Sequence, residues 1–544
     1  MEIQCEGNVY TLEPGVTAGD VWRKIHGDQV SDAAVLAECG GDVVDFQTPL
    51  REGGRLRWIS IHEKPGYLAA QRTLVMLLIS AVKETCGESA DVEIKHSLGQ
   101  GLYCEYPGGH IPLAGELRDI EKAMRAISAS RRPIRQLTID CREAVDMLRK
   151  RGNEQDADLL EQKGFDSFGV YRSGTVTDYF FGPMLPDMGY VPAFSLTPYA
   201  PGFLLRFPEM GKADIAPYQE EPLFAKVFLE AEEWGEVIGC HNVTELNRAI
   251  AGGRIRQLIA MAEAKQEKSL ARLADRITGQ NPKIRLVCIA GPSSAGKTTF
   301  MNRLIVQLWV NGARPVMVSL DDFYKERHVQ QAEQNTNYEN LSALDVDLFQ
   351  HLMARLLEGQ PVKLPRFDFE TGTRRWSEED FRLDRDQPIL VEGLHALNPE
   401  LTHFVPGYQC LHIYLGALTQ LSINNHNRIS TTDTRLLRRL VRDARTRGNG
   451  AEKTLSLWST VRRGEEENIF LFQGRAEEIF NTALIYELPV LKRKAVPLLG
   501  AIEKKSPVYA EARRLLTFLM PFEELDESVV PDNSILREFI GKRR

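Results

Sequence analysis

From Ile284 the chain reads Ile-Arg-Leu-Val-Cys-Ile-Ala-Gly-Pro-Ser-Ser-Ala-Gly-Lys-Thr-Thr. A mostly apolar run to Ala290 meets Gly291-Pro292-Ser293-Ser294-Ala295-Gly296-Lys297-Thr298-Thr299, and a helical pattern follows. Strand, glycine-bounded loop and helix in that order make a phosphate cradle, the P-loop. Gly291 and Gly296 let the backbone wrap close to an anion. The N–H groups of Ser293, Ser294, Ala295 and the helix start at Lys297, Thr298 and Thr299 then aim at phosphate oxygens. Lys297 adds a mobile positive charge, and the Thr298 hydroxyl can enter a Mg²⁺ shell. This chemistry calls for ATP with Mg²⁺.

Two further apolar runs end in carboxylates. Pro315 to Leu320 leads into Asp321-Asp322-Phe323-Tyr324, and Pro388 to Val391 leads into Glu392-Gly393. Leu411 to Leu415 is another such run. Open α/β sheets bind ligands beyond the carboxyl ends of their strands, so these acids are expected to face the P-loop crevice. One such acid alone reads as a turn or cap residue. Two beside a P-loop suit Mg²⁺ binding and activation of a hydroxyl.

The elements that must position these groups belong to a chain of 544 residues, enough for about two to four domains. Hydrophobic residues make up 43% and charged residues 26%, ordinary globular material. The formal net charge of -8 lacks the overall basic footprint of a protein devoted to long nucleic acid, although Arg131–Arg135 and Arg435–Arg447 are locally basic. Eight cysteines are scattered without a C-x-x-C pair, which fits reduced thiols in a cytoplasm. No apolar leader opens the chain, and no uninterrupted apolar stretch approaches the ~18 residues of a membrane span, so no membrane partner is expected.

Residues 1–61 alternate short strands (Val9–Leu12, Leu56–Ile59) with a helix opened by Thr17-Ala18-Gly19-Asp20. The run Val9-Tyr10 … Pro14-Gly15-Val16-Thr17 … Asp20-Val21 resembles the TGS domain, a β-grasp fold at the start of threonyl-tRNA synthetases. Residues 63–208 continue that resemblance. They carry a helix over Ala69–Val82, then Ser97–Tyr103, an amphipathic helix around Leu117–Ile127, and Tyr171-Arg172-Ser173-Gly174 … Asp178-Tyr179-Phe180-Phe181-Gly182-Pro183-Met184. This is similar to the second additional domain of those synthetases, an α+β unit that removes misattached serine. That domain's pattern has a Cys and a His around Gly-Pro and a His-x-x-x-His pair on its first helix. Here the positions read Phe180 and Met184, and Gln71–Met76 holds no histidine. Phe and Met cannot stand in for imidazole and thiolate as zinc ligands or bases, so the editing chemistry is expected to be lost. His96, Cys104 and His110 lie nearby in sequence and are read as structural or surface residues.

Residues 209–280 read as a helical connection, with periodicity over Ala225–Trp234 and Thr244–Ala274. From 281 to 500 the pattern resembles the uridine kinase family and the phosphoribulokinase-like group around it. Leu320–Tyr324 resembles an Asp-x-Phe-Tyr element whose first Asp takes the proton of the nucleoside 5′-hydroxyl, a role the resemblance gives to Asp321. Asn337-Tyr338-Glu339-Asn340 resembles a segment that stacks on the base and holds the ribose, which implies those contacts for Tyr338 and Glu339. Pro365–Arg374 resembles a loop beside the base, which with Tyr324 adds Phe367 and Arg374 to the substrate side. Val391-Glu392-Gly393 resembles the end of a Walker B-like strand, which makes Glu392 with Thr298 the Mg²⁺ pair.

Asp433–Asp443 resembles the lid, whose arginines reach the transferring phosphates; Arg435 and Arg438 match best and share one helical face. Gly372 stands where animal-type uridine kinases place a base-contacting histidine, and Glu339 replaces an aspartate. The segments Tyr486–Lys492 and Asn533–Ile540 resemble bacterial nucleoside kinases that carry the same synthetase-like half. Residues 501–544 are read as a helical tail.

The expected architecture is therefore α/β: a P-loop kinase with a doubly wound parallel sheet, preceded by a small β-grasp domain and an α+β synthetase-like domain. The expected activity is ATP-dependent phosphorylation of a nucleoside, uridine or cytidine. A kinase of another small alcohol, or a nucleotide-sensing RNA- or ribosome-linked regulator, stays open. So do an RNA or regulatory ligand at the N-terminal half and assembly into a homo-oligomer.

Overall fold

The computed structural model describes the chain except residues 14, 28–30, 51–52, 100, 151–152, 165, 333–339, 385, 420 and 543–544. Tyr338 and Glu339 lie outside the described residues.

The N-terminal sheet has five strands in the order Asn8–Thr11, Glu2–Cys5, Gly54–Ile59, Leu36–Cys39, Asp42–Val44. Glu2–Cys5 and Gly54–Ile59 run parallel and the other pairs antiparallel, as a β-grasp requires. The helix Ala18–His26 starts where the sequence signals it. Thr17 accepts from the Asp20 N–H (3.1 Å), and Asp20 accepts in return from the Thr17 N–H (3.0 Å), a complete capping box.

The helix Lys64–Cys86 follows, with Pro65 in its first turn. It is long and apolar enough by length and composition to cross a membrane. Leu74 to Val82 are instead buried, inside an apolar cluster with Ile94, Leu102, Ile120, Phe203 and Leu205. A helix apolar on every side is what a central core helix needs. It lies beside a four-stranded antiparallel sheet (Ser195–Tyr199, Gly202–Arg206, Gly101–Glu105, Glu93–Leu98) and a three-stranded one (Val176–Asp178, Ser167–Ser173, Arg135–Asp140).

Thr244–Ala274 does not form one helix. Val243–Ala251 and Ile255–Gly279 are separated at Gly252-Gly253, where Gly253 has φ 76°. The glycine pair makes left-handed backbone inexpensive and breaks a pattern that periodicity alone would carry through.

The P-loop sheet is five-stranded and wholly parallel, in the order Val316–Ser319, Ile389–Glu392, Leu286–Ala290, Cys410–Gly416, Glu478–Asn481. The P-loop strand is thus central, with later strands on both sides, and the crevice at its carboxyl end is a topological switch point. Leu286–Ala290 and Cys410–Gly416 are buried at every position, which is why they read as unbroken apolar runs.

The tail read as helical packs into the core of the C-terminal half. Among the described residues after 508, Tyr509–Leu519 and Arg537–Ile540 are α-helical and Glu527–Val529 is a 3₁₀ turn. Phe518, Phe522, Leu525, Ile535, Leu536 and Phe539 are buried in the same apolar cluster as Val287, Ile289 and Phe300 of the P-loop strand and helix.

Candidate active site

The P-loop is tight because its glycines sit where side chains cannot. A Cβ on Gly291 would lie 2.8 Å from the Leu415 carbonyl oxygen, and Gly296 holds φ 89°. Ser294 adopts left-handed backbone at φ 61° without being glycine. Strain of this kind costs about 1–3 kcal/mol and gathers at ligand-binding loops. Its hydroxyl is buried with no hydrogen-bond partner among the described residues. Ala295 is buried behind the loop.

The helix Lys297–Val310 begins directly at the lysine, so the N–H groups of Lys297, Thr298 and Thr299 have no intrahelical acceptor. Lys297 Nζ donates to the carbonyls of Gly291 (2.8 Å) and Pro292 (3.4 Å), across the loop it must serve. Thr298 is exposed at the helix start.

The acidic arm is assembled by strand pairing. Glu392 lies opposite Ile289 of the P-loop strand and opposite Ser319 of the strand that leads to Asp321. Ser319 Oγ donates to Glu392 Oε1 at 2.9 Å and fixes its orientation. The Asp321 side chain reaches solvent. Even so, the protein around it and the Glu392 charge push its carboxyl up to about 6, with Lys297 pulling the other way. Asp321 is therefore protonated below about pH 6 and an available base above it. The acid limb of kcat/KM is expected near that value, activity being lost as pH falls through it. A pH–rate profile on wild type and Asp321→Asn checks this, since the amide has no such limb.

Beside Asp321 stands an aromatic wall. Tyr324 and Phe367 are buried, with ring centroids 5.8 Å apart in a T-shaped pair, and the half-exposed Phe369 lies 5.0 Å from Phe367. Asp322 Oδ1 accepts from the Phe367 N–H at 3.2 Å and ties the wall to the acidic turn. Arg374 donates to the Tyr324 carbonyl (2.9 Å) and pairs with Asp345 (3.1 Å). Gly372 has φ 71°, and a Cβ there would lie 2.7 Å from Arg327 Cβ. Any side chain at this position would have to adopt left-handed backbone and displace the Arg327 side chain.

Arg435 and Arg438 meet the loop differently from the reading of a lid that reaches phosphates. Both are buried in the helix Thr431–Thr446. Arg435 Nε donates to the Ser293 carbonyl (3.0 Å), and Arg438 Nη1 to that of Ser294 (3.3 Å). Arg435 is ion-paired with Glu465, and Arg438 Nε with Glu487 at 2.6 Å. Glu465 Oε1 also accepts from the Ser293 N–H at 2.8 Å. Breaking so buried a pair from one side costs on the order of 3–5 kcal/mol, so these residues fix the loop in place. Sequence reasoning missed Glu465, Glu487 and Arg439, whose Nη1 donates to Ser293 Oγ at 2.7 Å. Arg439 could have been found, since it lies in the same basic run.

A family model of the phosphoribulokinase/uridine kinase family matches residues 286–470. The uridine kinase of Staphylococcus epidermidis (strain RP62A) is 31% identical over 184 residues, which cover 34% of this chain and 79% of that protein. The chain belongs to the phosphoribulokinase/uridine kinase family. The uridine kinase of Streptococcus uberis is 30% identical over 178 residues, 32% of this chain and 75% of the relative. Membership of the phosphoribulokinase/uridine kinase family supports a P-loop kinase of a nucleoside or other small molecule. The solved structure of a possible uridine kinase from Bacillus stearothermophilus has 24% identity and a TM-score of 0.24, over 28% of this chain and 79% of that one.

Over its N-terminal region the chain is 29% identical to the threonine–tRNA ligase of Syntrophotalea carbinolica, across 196 residues. That is 36% of this chain and 31% of the ligase, so the chain spans about a third of the length of those relatives. Within this portion Phe180 and Met184 are buried in the apolar core. His96 stacks on Phe228 with centroids 3.6 Å apart, the Cys104 thiol points at the Leu102 carbonyl, and His110 pairs with Glu116. Each of the three has its own partner. Among the described residues, the cluster of His, Cys and acid atoms with metal-like spacing is elsewhere, at Cys288, Cys410 and His412.

Proposed function

We propose that this protein transfers the γ-phosphoryl group of ATP to the 5′-hydroxyl of a pyrimidine ribonucleoside, uridine or cytidine, in the cytoplasm. The observation that carries the reading is Asp321, a carboxylate with its pKa raised to about 6, on the strand turn beside the P-loop and flanked by the Tyr324–Phe367 wall. Asp321 accepts the hydroxyl proton as the oxygen attacks. Lys297 and the N–H groups of Ser294 and of Gly296 to Thr299 hold the phosphates, the Ser293 N–H being engaged by Glu465 and the Ala295 N–H by the Pro292 carbonyl. Arg435 and Arg438 act through the loop, by fixing the Ser293 and Ser294 carbonyls. Tyr324, Phe367 and Arg374 line the acceptor side, with Tyr338 and Glu339 assigned to it by sequence.

Thr298, exposed at the helix start, and Glu392, oriented by Ser319, are an all-oxygen pair that suits Mg²⁺. The ion would supply charge neutralisation at the β- and γ-phosphates. We divide the chain into 1–61, 63–208, 209–280, 281–500 and 501–544, the last folded into the kinase core. Transfer of label from [γ-³²P]ATP across a panel of nucleosides and small alcohols tests the acceptor. Label on a sugar phosphate rather than a nucleoside would overturn the nucleoside reading.

A second role rests on the cleft between the two halves, about 1850 Å³ in volume. It is bordered by Tyr67, Arg72 and Arg206 on one side and Pro292 and Arg435 on the other. Among the described residues Arg72 and Arg206 donate to the main-chain carbonyls of Pro183 and Ala216 and to no acid. The cleft exceeds the usual size of a single small-molecule site, ~300–1,000 Å³. An RNA end or a phosphorylated effector would fit its charge and breadth.

The serine-removing chemistry is lost in this half. Purified protein is expected to carry no zinc that depends on His96 or Cys104, and to leave seryl-tRNA intact. Metal analysis with His96→Ala and Cys104→Ser, and a mischarged-tRNA deacylation assay, check this; deacylation above background would contradict it.

A further inference from the structure

The P-loop helix carries a carboxylate on its first turn that comes from the far end of the chain. Glu538 Oε2 accepts from the Thr299 N–H at 3.2 Å and from Thr299 Oγ1 at 3.0 Å. Glu538 is 239 residues away in sequence. Thr299 is the third residue of the helix, so its N–H is one of the donors a P-loop offers to a nucleotide's phosphate chain.

The contact belongs to a built arrangement. The tail lies directly on the loop, since a Cβ on Gly296 would stand 3.0 Å from Ile535 Cγ1. Arg445 donates to the carbonyls of Glu538 (3.0 Å) and Phe539 (3.3 Å), and the Arg438 guanidinium lies over the Phe539 ring at 5.0 Å. The same helix that braces the P-loop therefore anchors the tail backbone. Ile535, Leu536 and Phe539 are buried, while the Glu538 side chain is partly exposed.

Glu538 differs from the other acids near the loop. Glu465 has Arg435 and Arg462 as partners, and Glu487 has Arg438. Among the described residues the Glu538 carboxylate is held by Thr299 and by no ion pair. Among the described residues its charge is met by the helix N-terminus, as a phosphate's would be.

We propose that Glu538 is an internal occupant of the phosphate cradle, displaced from Thr299 when a nucleotide's phosphate binds, and so a determinant of nucleotide affinity. This rests on the kinase reading above. The tail backbone stays anchored by Arg445, Arg438 and its buried apolar side chains, and the Glu538 side chain swings toward solvent. The residue positions and tunes the cradle; it has no part in the chemical step.

Competition of this kind makes a clear prediction. In the full-length protein, Glu538→Gln removes the charge but keeps an acceptor for the Thr299 donors, and Glu538→Ala removes both. Both variants should bind MgATP more tightly than wild type, by about threefold to tenfold, the scale of a charge at a helix N-terminus. Adenosine, which has no phosphate, should bind all three proteins equally. Calorimetric titration with each ligand reads both arms, and thermal melting of Glu538→Gln reports on folding. Unchanged or weaker MgATP binding by a folded Glu538→Gln protein would overturn the proposal, as would an equal change in adenosine affinity. Wild-type protein that binds adenosine but not MgATP would overturn the kinase reading, and this inference with it.

Discussion

Asp321→Asn is expected to bind ATP normally and to lose most phosphoryl transfer. The amide matches the carboxylate in size and still accepts a hydrogen bond, so the crevice keeps its shape. It cannot take the proton that the acceptor hydroxyl must lose. A positioned general base contributes about 10²- to 10⁴-fold, and kcat should fall on that scale. The raised pKa sharpens the expectation. A carboxylate at its ordinary value would be a weak base, whereas one held at about 6 by its surroundings and by Glu392 is a better match to a hydroxyl proton near neutral pH. Near-normal kcat in the variant would move the role to Asp322 or Glu392. Asp322 is already engaged by the Phe367 N–H and Glu392 by Ser319, whereas Asp321 has no hydrogen-bond partner among the described residues.

Lys297→Ala should reduce kcat by about 10²- to 10³-fold, the scale seen when one preorganised donor to developing charge is removed. The Lys297 ammonium is within hydrogen-bond reach of the loop carbonyls of Gly291 and Pro292. It is therefore stored at the cradle and needs only a short movement to follow the γ-phosphate. The loop itself should survive the substitution. Its shape rests on Gly291, Gly296 and the bracing by Arg435 and Arg438, not on the lysine. Measured kcat with folded protein of unchanged melting temperature separates the catalytic loss from a structural one. Turnover at the wild-type rate would mean that another site holds the phosphates.

Much of this site was legible in the sequence because its parts are local. The P-loop strand, its glycines and its helix fall within a short run, and buried parallel strands announce themselves as apolar runs ending in Asp321 and Glu392. The capping box at Thr17 and Asp20 was legible for the same reason. What could not be read is the long-range pairing. The i, i+3 spacing of Arg435 and Arg438 gives a shared face but not what that face meets. The answer comes from Glu465 and Glu487, 30 and 49 residues later, which hold the two arginines buried against the P-loop carbonyls. Glu538 is more distant still from Thr299, and a carboxylate near the chain end carries no local mark of the helix it caps. The break at Gly252-Gly253 was visible as two glycines, yet the Ala-, Glu- and Leu-rich periodicity on both sides outweighed them. At Gly372 the sequence shows a missing histidine; the left-handed turn against Arg327 gives the reason.

The central claim is that the P-loop and Asp321 act together on a nucleoside hydroxyl, and one measurement bears on it most directly. Purified full-length protein is incubated with [γ-³²P]ATP, Mg²⁺ and uridine or cytidine, alongside Asp321→Asn, and the products are separated. The account predicts label in the nucleoside 5′-monophosphate with wild type and a loss of about 10²-fold or more with the variant. Label released only as inorganic phosphate, or equal transfer by both proteins, would contradict it.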